Sequence, residues 1–331
     1  MRRGVEAAAS EGVDNVVEIE AARATEIAAR IVANIRRVIH APDEVLRLCV
    51  TALLAEGHVI LEDAPGVGKT QLAKALARSV ELRFSRAQFT PDLLPSDVTG
   101  VSVYNQKTNE FEFRPGPVFT DILLVDEINR ASPKTQAALL ECMQERQVTA
   151  DGVTYALDVP FMVIATQNPI EYEGTYPLPE AQLDRFMMLL HLGYPELAEE
   201  AKMLSEQAGG DPLESLEPVA DAPAIRAAIA AAKALHVDES LNRYVVAVLH
   251  KTRADGRVLL GASPRAGIAV MRVAKARALC DGRDFVTPDD VKAVAAHVLS
   301  HRLILAPEAR SSGTTGAEIV VDALAHTAIP R

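Results

Sequence analysis

The sequence lacks tryptophan entirely, and aromatic residues make up only 4% of its 331 residues. Cysteine is also scarce: Cys49, Cys142 and Cys280 are far apart, and no CxxC pair is present. We therefore expect buried thiols in a reducing compartment. No apolar run approaches the ~18 residues that a membrane-spanning helix needs, so we expect no membrane insertion.

Basic residues are outnumbered, because 34 Lys and Arg stand against 45 Asp and Glu, for a net charge of −11. This balance argues against a broad basic surface that coats nucleic acid, and we expect no stable nucleic-acid partner; a local basic strip stays possible. Arg2 and Arg3 begin the chain without an apolar stretch behind them, which argues against a signal peptide. We expect residues 1–16 to be a disordered tail and the protein to be cytoplasmic by default.

Residues 58–70 carry the clearest chemical pattern of the chain. A short apolar strand runs into a glycine-containing loop and then into the start of a helix. Glycines let the backbone turn its N–H groups toward a phosphate, and the helix adds the positive end of its dipole. Lys69 is placed to reach the β- and γ-phosphates of a nucleotide, and the Thr70 hydroxyl is placed to hold Mg²⁺.

This loop departs from the strict phosphate-loop pattern at one position, because Asp63 stands where a further glycine is expected. A bare Gly-Lys-Thr sequence is also compatible with an ordinary turn. The strand before it and the helix after it favour the phosphate loop. The residues predicted to bind nucleotide here are Asp63, Ala64, Pro65, Gly66, Val67, Gly68, Lys69, Thr70 and Gln71.

Two acids follow a second apolar run. Residues 122–125 lead directly into Asp126 and Glu127, as at the carboxyl end of a buried strand. Beside a phosphate loop, one carboxylate can hold Mg²⁺ and the next can polarise the attacking water. Adjacent acids at a strand end are common by chance, so this prediction depends on their combination with the loop.

Three further polar residues are each compatible with two interpretations. Asn168 ends another apolar run, where it either has a functional role, orienting the water or sensing the γ-phosphate, or simply forms a turn before Pro169. Arg185 is either half of a surface ion pair or an arginine finger supplied to the ATP of a neighbouring subunit. Arg265, at a helix start, is either solvated or reaches the γ-phosphate.

The order of elements predicts two domains. Strands alternate with helices up to residue 194, which predicts a parallel α/β sheet with its ligand at the carboxyl ends of the strands. Two hairpins, at about 97–114 and 146–160, interrupt this alternation. Because helices predominate after residue 195, we predict an α/β core at 17–194 and a helical domain at 195–331.

Three segments resemble the MoxR family of AAA+ ATPases. They are RAQFTPDLLPSDVTG at 86–100, DEINRA at 126–131 and EAQLDRF at 180–186. The resemblance covers about residues 27–302 and is more specific in the first domain. It implies a P-loop NTPase core with a parallel five-stranded sheet, two hairpin insertions and a smaller all-α C-terminal lid domain.

The resemblance also implies a role for each residue singled out above. Lys69 and Thr70 match the Walker A motif, and Asp126 and Glu127 match Walker B, with Thr70 and Asp126 holding Mg²⁺ and Glu127 as the catalytic base. The remaining matches are Asn168 to sensor 1, Arg185 to the arginine finger and Arg265 to sensor 2.

Family members usually form hexameric rings that hydrolyse ATP with Mg²⁺ and act as chaperone-like remodellers or maturation factors. The resemblance thus implies a homo-oligomer, a protein client and often a partner with a von Willebrand A domain. A DNA-directed AAA+ motor and a metal-chelatase motor subunit are the alternatives. One further departure is the sequence HAPD at 40–43, where the family often has Val-Gly-Gln-Asp near the adenine.

Overall fold

The computed structural model describes residues 21–168, 174–194, 197, 199, 200, 203 and 212–330. The predicted tail at 1–16, Pro169 and most of residues 195–211, at the start of the predicted helical domain, lie outside these residues. Within the described ranges, no helix is long and apolar enough to cross a membrane.

The chain forms two compact units. The sheet unit comprises Asn34–Cys49 and Glu56–Pro218. The helical unit comprises the residues before Asn34, Val50–Ala55 and the chain from Val219 onward. Two helices, α1 at residues 21–36 and α2 at Asp43–Leu54, therefore contribute residues to both units.

This division differs from the domain boundary expected at residue 195. Leu213 and Leu216 are buried in the sheet unit, and Arg78 of the same unit donates a hydrogen bond to the Leu213 carbonyl. At the other end of the chain, the Thr25 hydroxyl donates to the Leu279 carbonyl of the helical unit at 2.7 Å. These contacts place 212–218 with the sheet and the first described residues with the helices.

The sheet unit alternates strands and helices along most of its length. Its elements after α2 are β1 (Val59–Glu62), α3 (Lys69–Ser79), β2 (Phe84–Gln88), α4 (Pro95–Thr99), β3 (Gly100–Asn105), β4 (Glu110–Pro115), β5 (Ile122–Asp126), α5 (Pro133–Glu145), β6 (Gln147–Ala150), β7 (Val153–Ala156), β8 (Met162–Gln167), α6 (Glu180–Leu183) and β9 (Met188–Leu190). Short 3₁₀ turns lie at Ile128–Arg130 and Pro212–Ser215.

Five strands form one parallel sheet in the order β2-β5-β8-β1-β9, which confirms the predicted five-stranded parallel sheet. All five residues of β5 are buried, as are the first five of β8, because a parallel sheet covered on both faces needs apolar side chains on both. Parallel pairing also brings the carboxyl ends of β1, β5 and β8 to the same edge of the sheet.

Both predicted hairpins are present. Strands β3 and β4 pair antiparallel, as do β6 and β7, whose turn has Asp151 at φ 51° and Gly152 at φ 79°. The two hairpins also touch each other, since the rings of Phe113 on β4 and Tyr155 on β7 stack with centroids 4.1 Å apart. Aromatic stacking of this kind adds to the stability that the buried area supplies.

The helical unit is built mainly from helices, as predicted. Its elements are α7 (Ala222–Ala234), α8 (Glu239–Ala254), β10 (Val258–Leu260), α9 (Pro264–Cys280), α10 (Pro288–Leu299), β11 (Ile304–Leu305), α11 (Pro307–Ser311) and α12 (Gly316–Ala325), with a 3₁₀ turn at Ser300–Arg302. Side-chain caps at Asp221, Ser263 and Thr287 begin three of these helices. The short antiparallel pair β10–β11 is an addition to the all-α domain that the sequence predicts.

One ion pair stabilises the start of α10. Both carboxylate oxygens of Asp290 accept hydrogen bonds from Arg283, at 2.5 and 2.6 Å, and Asp290 also closes a capping box with Thr287. Burial of the Asp290 carboxyl favours its neutral form, but the hydrogen bonds from Arg283 and Thr287 outweigh that effect and lower its pKa below the ordinary value.

Replacement of Asp290 by Ala should lower the free energy of unfolding by about 3 kcal/mol, because it removes the buried carboxylate that accepts two hydrogen bonds from Arg283 and closes the capping box of α10. The lowered pKa means that the charged form stabilises the fold above the unfolded-state pKa of about 3.9 and that this stabilisation is lost as the pH falls through the folded-state value. Urea unfolding of the wild type and variant should therefore show a smaller difference in the free energy of unfolding at pH 3 than at pH 7. Asp289→Ala, which alters an exposed neighbour, is the control; an equal effect of both variants would contradict the prediction.

Candidate nucleotide-binding and catalytic site

The loop between β1 and α3 has the backbone geometry of an anion-binding loop. Gly66 and Gly68 have φ of 86° and 94°, in the left-handed region that glycine adopts at low cost. Gly68 immediately precedes α3, and among the described residues no side chain caps the N-terminus of this 11-residue helix. The first N–H groups of α3 are therefore available to an anion such as a phosphate.

Lys69 begins α3 and folds back over the loop. Its Nζ donates to the carbonyl of Asp63 and, at 3.2 Å, to the carbonyl of Gln167 at the end of β8. Desolvation lowers the pKa of Lys69, and the nearby carboxylates of Asp63, Asp126 and Glu127 oppose that shift. The ammonium group is thus held at the sheet edge by two backbone carbonyls.

Thr70 and Asp126 come together as the sequence predicts. The Thr70 Oγ1 donates to Asp126 Oδ1 at 3.3 Å, and the Thr166 Oγ1 donates to the same oxygen at 3.3 Å. A hydroxyl beside a carboxylate, next to a phosphate-binding loop, is the oxygen-rich donor set that Mg²⁺ prefers. The residues present therefore fit a magnesium ion bound with a nucleotide phosphate.

Glu127 follows β5 in the left-handed conformation, with φ 57° and ψ 53°. Its Oε2 accepts hydrogen bonds from Gln88 at 2.8 Å and from Arg130 at 3.3 Å. Its backbone N–H donates to the Thr166 Oγ1 at 2.9 Å. The Glu127 side chain is 35% exposed, so water can reach it.

Asn168 lies directly after β8 and is buried. Strand β8 pairs with β1 in the register Glu62↔Gln167, and the Asp63 N–H donates to the Gln167 carbonyl at 3.3 Å. Asn168 therefore follows the residue that pairs with the start of the phosphate loop. Its predicted role in sensing the γ-phosphate stays a prediction.

The two predicted arginines are on other elements of the chain. Arg185, just after α6, donates from its NH1 to the Leu140 carbonyl of α5 at 2.7 Å. Arg265 is an exposed residue in the first turn of α9 in the helical unit, after the N-cap Ser263. The helix start predicted at Ser263 is present, and the catalytic roles of both arginines stay predictions.

Two family models match the chain. The model of the ATPase family associated with various cellular activities matches residues 58–188, and the AAA lid domain matches residues 250–323. Chaperone MoxR1 of Mycobacterium tuberculosis is 42% identical over 312 residues, which cover 91% of this chain and 82% of that protein. The chain belongs to the MoxR family of AAA+ ATPases.

Two further matches agree with this membership. The uncharacterised protein YeaC of Bacillus subtilis is 51% identical to this MoxR-family chain, over 91% of the chain and 94% of that protein. The crystal structure of a presumed ATPase from Cytophaga hutchinsonii superimposes with a TM-score of 0.89 at 38% identity, covering 96% of this chain and 99% of that one. The AAA+ α/β core and helical lid that the sequence predicts are thereby confirmed.

Four residues of the site were not among those predicted. Arg86 and Gln88 of β2 hydrogen-bond to Asp126 and Glu127, and Thr166 of β8 contacts both acidic residues. Arg86 and Gln88 are two residues apart on β2, and this spacing could have indicated that they share one face of the strand. The sequence does not show, however, that β2 lies beside β5.

The fourth is Gln136 of α5, which is buried and links two segments of the site. Its Nε2 donates to the Ile128 carbonyl at 3.1 Å and to the Tyr176 carbonyl at 2.9 Å. The Tyr176 N–H in turn donates to the Asn129 carbonyl at 2.6 Å. Gln136 thus connects the turn after Glu127 to Tyr176, which follows Asn168 in the chain.

Asp63, the departure from the strict phosphate-loop pattern, has a structural partner. Its Oδ2 accepts hydrogen bonds from the backbone N–H groups of Leu192 and, at 3.4 Å, of Gly193. Its own carbonyl accepts from Lys69. A glycine could make only the backbone contact with Lys69. The Asp63 side chain therefore connects the start of the loop to the chain that follows β9.

Replacement of Asp63 by Ala should lower the melting temperature and weaken nucleotide binding several-fold, because two N–H groups lose a charged acceptor worth roughly 1.5–3 kcal/mol. Asp63→Asn keeps an acceptor oxygen in the same place and should stay close to the wild type. Calorimetry of ADP binding and thermal unfolding measure the two effects. Equal loss in both variants would show that the carboxylate charge, rather than the acceptor, matters; no loss in either would contradict the role given to Asp63.

Proposed function

We propose that this MoxR-family chain is a Mg²⁺-dependent ATPase that assembles into a ring and uses ATP hydrolysis to remodel a protein client. The observation that carries the proposal is the convergence of Lys69, Thr70, Asp126 and Glu127 at the N-terminus of α3 and the adjoining sheet edge. The AAA family models and the relative named chaperone MoxR1 support it. We place this activity in the cytoplasm.

The chain's own groups divide the work of hydrolysis. The N–H groups at the start of α3 and the Lys69 ammonium bind and neutralise the β- and γ-phosphates. Thr70 and Asp126 would hold Mg²⁺, which would supply positive charge to the phosphate oxygens. Glu127 accepts the proton of the attacking water on its carboxylate, and Asn168 orients that water.

Assembly into a hexameric ring gives Arg185 its role. The side chain is partly exposed and is held by the Leu140 carbonyl, so α5 fixes the direction in which it projects. In a ring, the guanidinium reaches the ATP of the next subunit and neutralises charge on the transferring phosphoryl oxygens. Arg265 acts from the lid on the γ-phosphate.

The hairpin β3–β4 supplies a surface for a protein client. Tyr104 and Phe111 are cross-strand partners whose ring centroids lie 5.4 Å apart, and their exposed fractions are 48% and 74%. Exposed aromatic pairs are typical of protein-binding surfaces.

A partner with a von Willebrand A domain is the other macromolecule that we propose.

A DNA-directed motor is the second candidate function, because related AAA+ clades act on DNA. The net charge of −11 and the acidic residues Glu110 and Glu112 on the hairpin oppose it, since phosphate backbones bind basic surfaces. A metal-chelatase motor subunit is a third, which stimulation by a porphyrin-chelating partner would identify.

Glu127→Gln should abolish ATP hydrolysis while ATP binding persists, because the base is lost and Asp126 remains. Phosphate release measures turnover, and calorimetry measures binding; a loss of two or more orders of magnitude in turnover is expected for a general base. Arg130→Gln, which removes a neighbour of the Glu127 carboxylate, is the control and should retain substantial activity. Hydrolysis at the wild-type rate by the Glu127 variant would refute the assignment.

Phe111→Ser should leave basal ATP hydrolysis unchanged and reduce its stimulation by an unfolded protein such as reduced casein. The substitution removes the more exposed ring of the pair, whereas Val153→Ser removes an exposed apolar side chain from the other hairpin as a matched control. Stimulation by DNA in place of protein, weakening steeply with salt, would favour the DNA-directed motor instead.

A further inference from the structure

The carboxylate predicted to hold Mg²⁺ already has a positively charged partner. The Arg86 Nε donates to Asp126 Oδ2 at 2.7 Å, while Asp126 Oδ1 accepts from Thr70 and Thr166. The Asp126 side chain is 7% exposed. An ionised carboxylate this deeply buried needs a counterion, and the guanidinium supplies it without a metal.

The pairing follows from the sheet topology. Strand β2 lies at the edge of the sheet beside β5, in the parallel register Arg86↔Leu124 and Gln88↔Asp126. One side of β2 therefore presents Arg86 to the carboxyl end of β5. The Arg86 side chain is 49% exposed, so its guanidinium can turn from Asp126 into water without crossing packed protein.

We propose that the Arg86 guanidinium and Mg²⁺ are alternative counterions of Asp126, and that Arg86 thereby sets how strongly nucleotide binding depends on Mg²⁺. The inference rests on the proposed function, since it takes Asp126 to be a ligand of the nucleotide's metal. Two cations close to one carboxylate repel each other, and each weakens the field that holds the other. Arg86 is accordingly a positioning residue that competes with the metal.

The first experiment measures the binding of a fluorescent ADP at increasing free Mg²⁺. Removal of the guanidinium in Arg86→Gln should lower the Mg²⁺ concentration that gives half-maximal binding about five-fold, the size expected for a partly exposed ion pair. ADP is used because no hydrolysis then contributes to the signal. Arg86→Met, which keeps the aliphatic stem, repeats the titration if the glutamine variant fails to fold.

Arg83→Gln is the matched control. Arg83 also pairs with a well-buried carboxylate of the β5 region, Asp121, at 2.6 Å, but it precedes β2 and so lies at the other end of that strand. Both variants should lower the melting temperature of the nucleotide-free protein. Only Arg86→Gln should change the Mg²⁺ concentration that gives half-maximal ADP binding. Added Mg²⁺ should also raise the melting temperature of Arg86→Gln more than it raises the melting temperature of Arg83→Gln.

Two outcomes would overturn the inference. An unchanged Mg²⁺ midpoint in Arg86→Gln, with a loss of thermal stability like that of Arg83→Gln, would make Arg86 purely structural. A higher midpoint would mean that Arg86 assists the metal. Failure of the wild type to bind ADP at any Mg²⁺ concentration would instead refute the proposed function, so the two failures are distinguishable.

Discussion

The parallel pairing of β1, β5 and β8 is the constraint on which the rest of the site depends. It brings three chain segments, far apart in sequence, to one edge of the sheet, where each ends in a polar group. The strands themselves are apolar and buried, so the polar groups have no other place to lie. Hydrogen bonds between these ends, such as those of Thr166 to the acids beside it, then fix the side chains relative to one another.

Residues that follow an apolar run could be predicted, because the run itself predicts a buried strand and the loop predicts the ligand. Lys69, Thr70 and Asp126 were found in this way and do come together. Arg86 and Gln136 could not be found, since their partners are set by strand order and by helix packing. The grouping of residues 212–218 with the sheet unit could not be predicted for a similar reason: Leu213 is buried, and its carbonyl accepts a hydrogen bond from Arg78, 135 positions earlier in the chain, which local patterns do not show.

Backbone carbonyls and amides help to arrange this site alongside the charged groups. Lys69 is held by two carbonyls, Asp63 accepts from two amides, and Gln136 joins two carbonyl groups of different segments. Where these backbone groups are buried, the contacts give them the hydrogen-bond partners that they need. The loop positions therefore depend on side chains that need not touch the nucleotide.

The stacking of Phe113 on Tyr155 joins two hairpins that are separate insertions in the sequence. A change of length or twist in one hairpin would separate the rings unless the other hairpin changed with it, so we expect the two to vary together among relatives. A chimaera that takes the first hairpin from a relative should accordingly take the second from the same relative. The two insertions are best regarded as one exchangeable module in comparisons across the family.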